Sequence, residues 1–204
     1  MVKSIGFFVM LLLPGALLAQ SPKSAVGGEA GLWAGAEFSD FNPDFICASN
    51  VVFNCADDLV GPTALFDFNL TSKIGAEGEA RWLRWNGASN QKESNYLLGP
   101  RYRVWRHSRV SLWVKGVAGG GWITTPNYPR AGSLQGSYLA YGLGGTVDYR
   151  LSRRLILRAD YEYQIWPSFA GPVTYSATGA PIYHNSGLSP NGVSVGVNYR
   201  FFGH

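Results

Sequence analysis

The sequence has little charge, little cysteine and no long apolar run. Charged residues make up 15% of its 204 positions, against about 25% in soluble globular proteins. Its 7 Trp, 11 Tyr and 11 Phe argue against intrinsic disorder, which needs few aromatic residues and high charge, and against a coiled coil, which is rich in Ala, Glu, Lys and Leu. Beyond the N-terminal segment no stretch approaches about 18 consecutive apolar residues, so a transmembrane helix is excluded as well.

The first 19 residues have the three parts of a secretory signal peptide. Lys3 supplies the positive charge, the apolar run extends from Ile5 to Leu13, and small residues around Ala19 form a cleavage site. A membrane anchor is the alternative, but the run is shorter than the ~20 residues that a spanning helix needs, and Pro14 interrupts it. Cleavage would leave residues 20–27 as a flexible leader. Without Lys3 the chain has 16 basic and 13 acidic residues, a surplus too small to indicate nucleic-acid binding.

The mature chain has two cysteines, Cys47 and Cys55, in a stretch without regular periodicity. In an oxidising compartment such a pair usually forms a disulfide, and two free thiols are the alternative. A zinc site is disfavoured because no further Cys or nearby His completes four ligands. The sequence predicts a disulfide between the two cysteines.

Apolar and polar residues alternate with period two along most of the mature chain. In residues 155–165, Leu157, Ala159 and Tyr161 share one face and the charged Arg158 and Asp160 share the other. A helix would scatter those charges around its circumference, whereas a strand places them on one side. Eight segments alternate in this way: residues 32–39, 64–71, 74–82, 95–104, 110–118, 139–150, 155–165 and 193–201.

The connections between these segments alternate in length. The short ones are residues 72–73, 106–109 and 151–154, and the long ones are residues 39–63, 86–94, 119–137 and 166–191. An up-and-down antiparallel barrel with one rim outside the cell and the other in a confined space has this pattern. We therefore expect four long loops outside and three turns in the periplasm.

Period two defines two faces of each strand but leaves open which one is buried. A soluble lipocalin-like barrel would bury the apolar face. A nearly balanced set of acids and bases on the polar face, aromatic residues near strand ends and an apolar face free of charge favour the opposite arrangement. The sequence predicts an all-β fold, an eight-stranded antiparallel up-and-down transmembrane β-barrel, with these charged residues in its lumen: Glu37, Asp67, Glu77, Glu79, Arg81, Arg101, Arg103, Lys115, Asp148, Arg158, Asp160 and Glu162.

The chain resembles the small outer-membrane β-barrels of Gram-negative bacteria, the OmpA/OmpX-like or "porin family" type. The resemblance covers residues 28–201 within a predicted barrel domain of residues 28–204, and it rests on the signal peptide, the eight strands and phrases such as residues 77–81, 98–103 and 158–163. It implies a monomer in the outer membrane that contacts membrane lipids and lipopolysaccharide. It also implies periplasmic chaperones and the barrel-assembly machinery as partners, the latter through an alternating C-terminal signal formed by Val193, Val195, Val197, Tyr199 and Phe201.

Three short motifs resemble catalytic or cofactor sites. Residues 192–196 match the G-x-S-x-G pattern but lie within a continuous strand. Residues 142–145 lack the last glycine of a dinucleotide fingerprint. His184 and Ser186 resemble the base and nucleophile of outer-membrane lipid A deacylases, but no acid follows them to orient the histidine. We interpret all three as structural and expect no metal ion or other cofactor.

The leading hypothesis is a non-enzymatic structural or surface-interaction protein whose long loops, especially residues 39–63 and 167–190, contact a partner outside the cell. A small gated pore is the alternative, with Arg101, Arg103 and Arg158 opposing Glu77, Glu79 and Asp160 to set selectivity. A lipid A-modifying enzyme is the third possibility.

Overall fold

The computed structural model describes residues 30–45, 57–85, 90–127, 133–171, 173–175, 178, 181–183 and 186–203. The predicted signal peptide and leader, the pair Cys47 and Cys55, and His184 lie outside these residues. The described residues form no helix that is long and apolar enough to cross a membrane.

Eight long strands close into an antiparallel barrel. Each pairs with its neighbour along the chain, and the last pairs with the first from Gly31↔Gly203 to Asn42↔Asn191. This confirms the predicted fold. The strands in chain order, with three short ones before the last, are β1 (Gly31–Asn42), β2 (Leu59–Asn69), β3 (Ile74–Leu83), β4 (Lys92–His107), β5 (Val110–Thr124), β6 (Gln135–Arg150), β7 (Leu155–Ala170), β8 (Val173–Tyr175), β9 (Pro181–Tyr183), β10 (Ser186–Leu188) and β11 (Asn191–Gly203).

The barrel has two unlike ends. The turns 70–73, 108–109 and 151–154 lie at one end, here called the turn end, and the connections 43–58, 84–91, 125–134 and 171–190 lie at the other, here called the loop end. A strand of about 9–11 residues crosses a bilayer, so β4, β6 and β7, each of 16 residues, extend beyond it. β7 continues past its pairing with β11, over residues 164–170, at the loop end.

The predicted strand bounds are wrong at the loop end. β2 begins at Leu59 instead of residue 64, β5 continues to Thr124 instead of residue 118, and β7 continues to Ala170 instead of residue 165. Three consecutive glycines, 119–121, and Pro167 interrupt the side-chain alternation there. Backbone hydrogen bonding does not need that alternation, so the ladder continues through the three glycines.

Two bulges at the turn end change which way side chains face. The β4–β5 register shifts between Arg103 and Trp105, and the β1–β11 register pairs Leu32 with Phe202 but Trp33 with Arg200. Each shift leaves one extra residue on a strand, and both members of the neighbouring apolar pair then face outward. Pro100 lies within β4 and pairs with Ala76 of β3.

The outer surface forms an apolar belt with aromatic residues towards both ends. At the loop end, Tyr96 contacts Trp82 and Trp122 edge-on with ring centroids 5.8 and 5.3 Å away, and Phe38 stacks on Trp85. Between these rings and the aromatic residues of the turn end lie exposed aliphatic side chains such as Leu98 and Leu143, 66% and 68% exposed. Such a belt between aromatic girdles is the surface that outer-membrane barrels present to lipid.

Candidate functional site

The barrel interior contains the charged residues that the sequence assigns to the lumen. Eleven of these twelve side chains are buried, and Arg103 is half-buried near the turn end. On each strand these residues occupy alternate positions, because successive side chains of a strand point to opposite faces of the sheet. The interior divides into three levels: an apolar cluster at the loop end, an ion-pair network in the middle, and a cavity at the turn end.

Lys115 of β5 is the hub of the middle level. Its Nζ atom lies 2.9 Å from Glu77, 3.0 Å from Glu79, 3.1 Å from Asp160 and 2.8 Å from Glu162. These carboxylates come from β3 and β7, on opposite sides of β5 across the lumen. A buried ammonium group is stabilised when several carboxylates share it, since its desolvation cost is large.

Two arginines form the part of the network nearer the turn end. Arg158 donates from Nε to Asp148 at 2.8 Å and from Nη2 to Asp67. Arg101 forms ion pairs with the same Asp67 and Asp148, and both arginines reach Glu77, at 3.1 and 3.3 Å. Shared carboxylates thus join β2, β3, β4, β6 and β7 through one set of charge-assisted hydrogen bonds.

Acidic and basic residues are nearly equal in number along the predicted lumen, but they are not evenly distributed along the barrel axis. In the middle level, the ion pairs join four cations (Lys115, Arg81, Arg101 and Arg158) to six carboxylates. Glu37 and Glu93 add two further buried carboxyl groups. The sealed interior is therefore acid-rich, and the surplus arginines lie elsewhere.

Arg81 joins the network to the apolar level. Its Nη1 lies 3.1 Å from Glu162 and its Nη2 3.4 Å from Glu79. On its other side, the guanidinium lies 4.0 Å above the ring of Phe41, a fully buried residue that packs with Leu59 and Leu83. A guanidinium stacked on an aromatic face can bridge polar and apolar surroundings in this way.

An apolar cluster closes the interior at the loop end. Trp166 of β7 is fully buried, and its Nε1 donates to Gln164 at 2.7 Å. A side chain at Gly121 would collide with its ring, since a Cβ there would lie 2.1 Å from Cη2 of Trp166. Phe45, from the first long connection, packs against both groups of buried apolar residues. The other members of the Trp166 cluster are Leu97, Val117, Ile123, Ala140, Phe169 and Leu188.

The turn end is open in contrast. A cavity of about 800 Å³ lies there, walled by Trp33 and Trp113 and bordered by arginines of the turns and strand ends. It ends at Asp67, Asp148 and Arg158 of the ion network. The interior is therefore a blind cavity beneath a filled middle and a filled loop end.

Comparison with known proteins rests on structure. No protein-family model matches the sequence, and a search of curated proteins finds no relative. Neisserial surface protein A (NspA) is similar with a TM-score of 0.58 and 12% identity, over 84% of this chain and 98% of that one. Ail, the attachment invasion locus protein of Yersinia pestis, has a TM-score of 0.50 at 16% identity over 86% and 100%. The N-terminal β-barrel domain of Pseudomonas aeruginosa OprF has 0.50 at 11% identity over the same shares.

The chain has the fold of the small outer-membrane β-barrels. Its apolar belt, flanked by aromatic residues, is the surface that this fold requires in a lipid bilayer. Together the fold and the belt place the barrel in the Gram-negative outer membrane.

The outer-membrane barrel contains interior residues that sequence reasoning missed. Trp33, Leu97, Trp113 and Val117 are buried inside the barrel although they are apolar. Their position in the sequence indicates this. Trp33 is an even number of residues from Glu37 on one strand, and Trp113 is an even number from Lys115 on another, so each pair faces the same side. Whether a side chain faces the lumen or the lipid depends on its position in the strand and not on its polarity.

Two of the three motifs that resemble catalytic or cofactor sites lie within barrel strands. Ser194 of the G-x-S-x-G segment is buried in β11 and its hydroxyl lies 2.7 Å from that of Ser39, which in turn lies 2.6 Å from the hydroxyl of Thr63. In β6, a Cβ at Gly144 would lie 2.7 Å from Cε of Lys115, so glycine there makes room for the network. The interpretation of His184 and Ser186 stays a prediction, because His184 lies outside the described residues.

The predicted assembly signal lies on the outside of β11. Val193, Val195, Val197, Tyr199 and Phe201 are each 41–58% exposed on the lipid-facing side. Because of the bulge at this end, Phe202 faces outward as well, at 70%. Among the described residues, no group of three or more His, Cys, Asp or Glu side chains is placed to hold a metal ion.

Proposed function

We propose that this outer-membrane protein is a non-conducting barrel that acts through its loop end, on the cell surface, as a structural or surface-interaction protein. The observation that carries this proposal is the filled interior: the apolar cluster around Trp166 and the ion-pair network around Lys115 occupy successive levels of the lumen. An eight-stranded barrel has an interior just wide enough for side chains. A solute path would require these buried pairs to separate.

The loop end supplies the surface for such a role. β7 continues past its pairing with β11 there, β10 pairs with β7, and β8 pairs with β9 in the last connection. Asp44 accepts a hydrogen bond from the backbone N–H of Ser189 at 2.9 Å, which ties the first connection to the last. Two proteins of the same fold support the proposal by name, Neisserial surface protein A and the attachment invasion locus protein of Yersinia pestis.

Single-channel recording of the purified protein in a planar bilayer tests the filled interior. We expect no steady conductance from the unaltered protein. The small gated pore is the competing hypothesis, and steady conductance that vanishes on charge reversal at Arg101 or Glu79 would establish it. Retained heat-dependent mobility on a denaturing gel is the control that each variant is folded.

Adherence tests the surface role. Bacteria that express the protein are compared on a cultured epithelial monolayer with bacteria that express a variant in which a short Gly-Ser linker replaces residues 173–183. β7 and β11 pair over Leu155–Tyr163 without that segment, so the variant should fold. Adherence that depends on the protein and falls in the variant supports the proposal, and equal adherence with and without the protein contradicts it.

The proposal excludes an enzymatic role, and lipid A is the substrate to examine. Mass spectra of lipid A from expressing cells should match those from cells with the Ser186→Ala variant and from cells without the protein. A loss of acyl chains that requires Ser186 would overturn the non-enzymatic interpretation.

A further inference from the structure

The cavity at the turn end has a charge unlike that of the rest of the interior. Among the residues that the structure describes, seven arginines and two aspartates line it, a surplus of five positive charges. Both aspartates belong to ion pairs with Arg101 and Arg158. The arginines on its wall and mouth are Arg103, Arg109, Arg150, Arg153, Arg154 and Arg200.

Several of these guanidinium groups are held in place. Arg103 lies 5.2 Å from the ring centroid of Trp113, and Arg200 lies 5.3 Å from that of Trp33. Arg150 lines the same cavity, and its charge repels those of Arg103 and Arg200. Cations held together against mutual repulsion create a strong local positive potential, which attracts anions.

Two buried donors in the same wall point to a ligand that accepts hydrogen bonds. Trp33 and Trp113 are 7% and 5% exposed, and neither indole Nε1 has a hydrogen-bond acceptor in the part of the chain that the structure describes. Buried Trp N–H groups usually have a partner. An anion carrying several oxygens would provide acceptors for both indoles and counter-charge for the arginines.

We propose that the turn-end cavity binds a small phosphorylated anion, a molecule with at least one phosphate group. Its volume of about 800 Å³ lies within the range of small-molecule sites. Arginine is suited to phosphate because its planar fork donates two parallel hydrogen bonds. In the proposed topology the cavity faces the periplasm, so the ligand is either a soluble phosphorylated solute or a phospholipid headgroup of the inner leaflet.

Calorimetric titration of the whole protein in a neutral detergent with inorganic pyrophosphate tests the site. The matched variants are Arg150→Gln in the cavity and Arg84→Gln, an exposed arginine at the loop end. We expect saturable binding that Arg150→Gln weakens about tenfold, since a charge-assisted contact is lost, while Arg84→Gln leaves it unchanged. Retained heat-dependent mobility on a denaturing gel is the control that each variant is folded.

The indole donors provide an independent measurement. Trp33→Phe and Trp113→Phe keep an aromatic ring beside the arginines and remove one N–H each. Each variant should bind pyrophosphate about fivefold more weakly. If pyrophosphate does not bind at millimolar concentration and low salt, or if it binds equally to the Arg150→Gln and Arg84→Gln variants, the proposal is wrong.

Native mass spectrometry distinguishes the two sources. Short-chain phosphatidylglycerol and phosphatidylcholine are added in turn to the unaltered protein and to the Arg150→Gln variant. Selective retention of phosphatidylglycerol that Arg150→Gln abolishes assigns the site to a headgroup. Pyrophosphate binding without such retention assigns it to a soluble solute, and absence of both effects contradicts the proposal.

Discussion

Nζ of Lys115 lies 2.8 Å from Oε2 of Glu162, inside the barrel and 1% and 0% exposed at their side chains. Three more carboxylates lie within 3.1 Å of the same ammonium group. One cation thus holds together carboxylates of β3 and β7 that would otherwise repel one another.

Replacing this cation should destabilise the barrel strongly. In Lys115→Met the side chain keeps its approximate size, but the four carboxylates lose their shared partner. Breaking a buried ion pair from one side costs about 3–5 kcal/mol, and we expect a loss of that order in the free energy of unfolding. Urea unfolding in lipid vesicles measures it. Lys73→Met at an exposed turn is the control, with an expected change within about 0.5 kcal/mol.

Trp166 should contribute much more to stability than a tryptophan on the belt. Trp166→Ala empties a fully buried site, and such a change costs about 3–5 kcal/mol because a cavity remains. Trp122 is 48% exposed on the outer surface, where lipid fills the space that Trp122→Ala would leave. Urea unfolding of the two variants compares them, and equal losses would show that Trp166 does not close the interior.

The cost of a charge on the belt should depend on depth. Leu98 lies between Tyr96 and Tyr102, and Val104 lies beyond Tyr102 at the turn end. Leu98→Arg should cost about 2–4 kcal/mol, and Val104→Arg about 0–1 kcal/mol, because the penalty falls from the midplane to the interface. Unfolding in vesicles measures both. Similar values would indicate that the belt is not centred in the bilayer.

Cys47 and Cys55 should be oxidised in protein purified from membranes. The expected peptide mass without reductant is that of a cross-linked pair, and alkylation should label neither thiol. Closing so short a loop contributes about 2.5 kcal/mol in the chain-entropy model, so the Cys47→Ser/Cys55→Ser variant should unfold at lower urea concentration. Labelling of either cysteine before reduction would contradict the prediction.

Strand number, order and facing were predictable because they depend on alternation. Lys115, Glu162 and Arg158 alternate with lipid-facing neighbours, and a closed antiparallel sheet satisfies this pattern throughout. The C-terminal end of β11 was less clear, since one bulge places both Phe201 and Phe202 outside.

The levels of the interior were not predictable in the same way. Which cation meets which carboxylate depends on strand register and rotamers: Arg158 and Asp67 are 91 residues apart, and nothing local in the sequence relates them. The packing of Trp166 against Gly121 could not be predicted, because a run of glycines interrupts the alternation of polar and apolar residues there. The turn-end cavity arises only when arginines from β4, β6 and β11 and from two turns come together.

The pairing of β1 with β11 sets the order in which the barrel can assemble. Gly31 and Gly203 are partners, so the first strand to enter the periplasm waits for the last. Ser39 and Ser194, 155 residues apart, meet only at that step. Contacts of such separation form late, because the entropy of closing a long loop must be overcome first. Until then the sheet has two open edges. Closing the lumen and pairing β1 with β11 are therefore a single event.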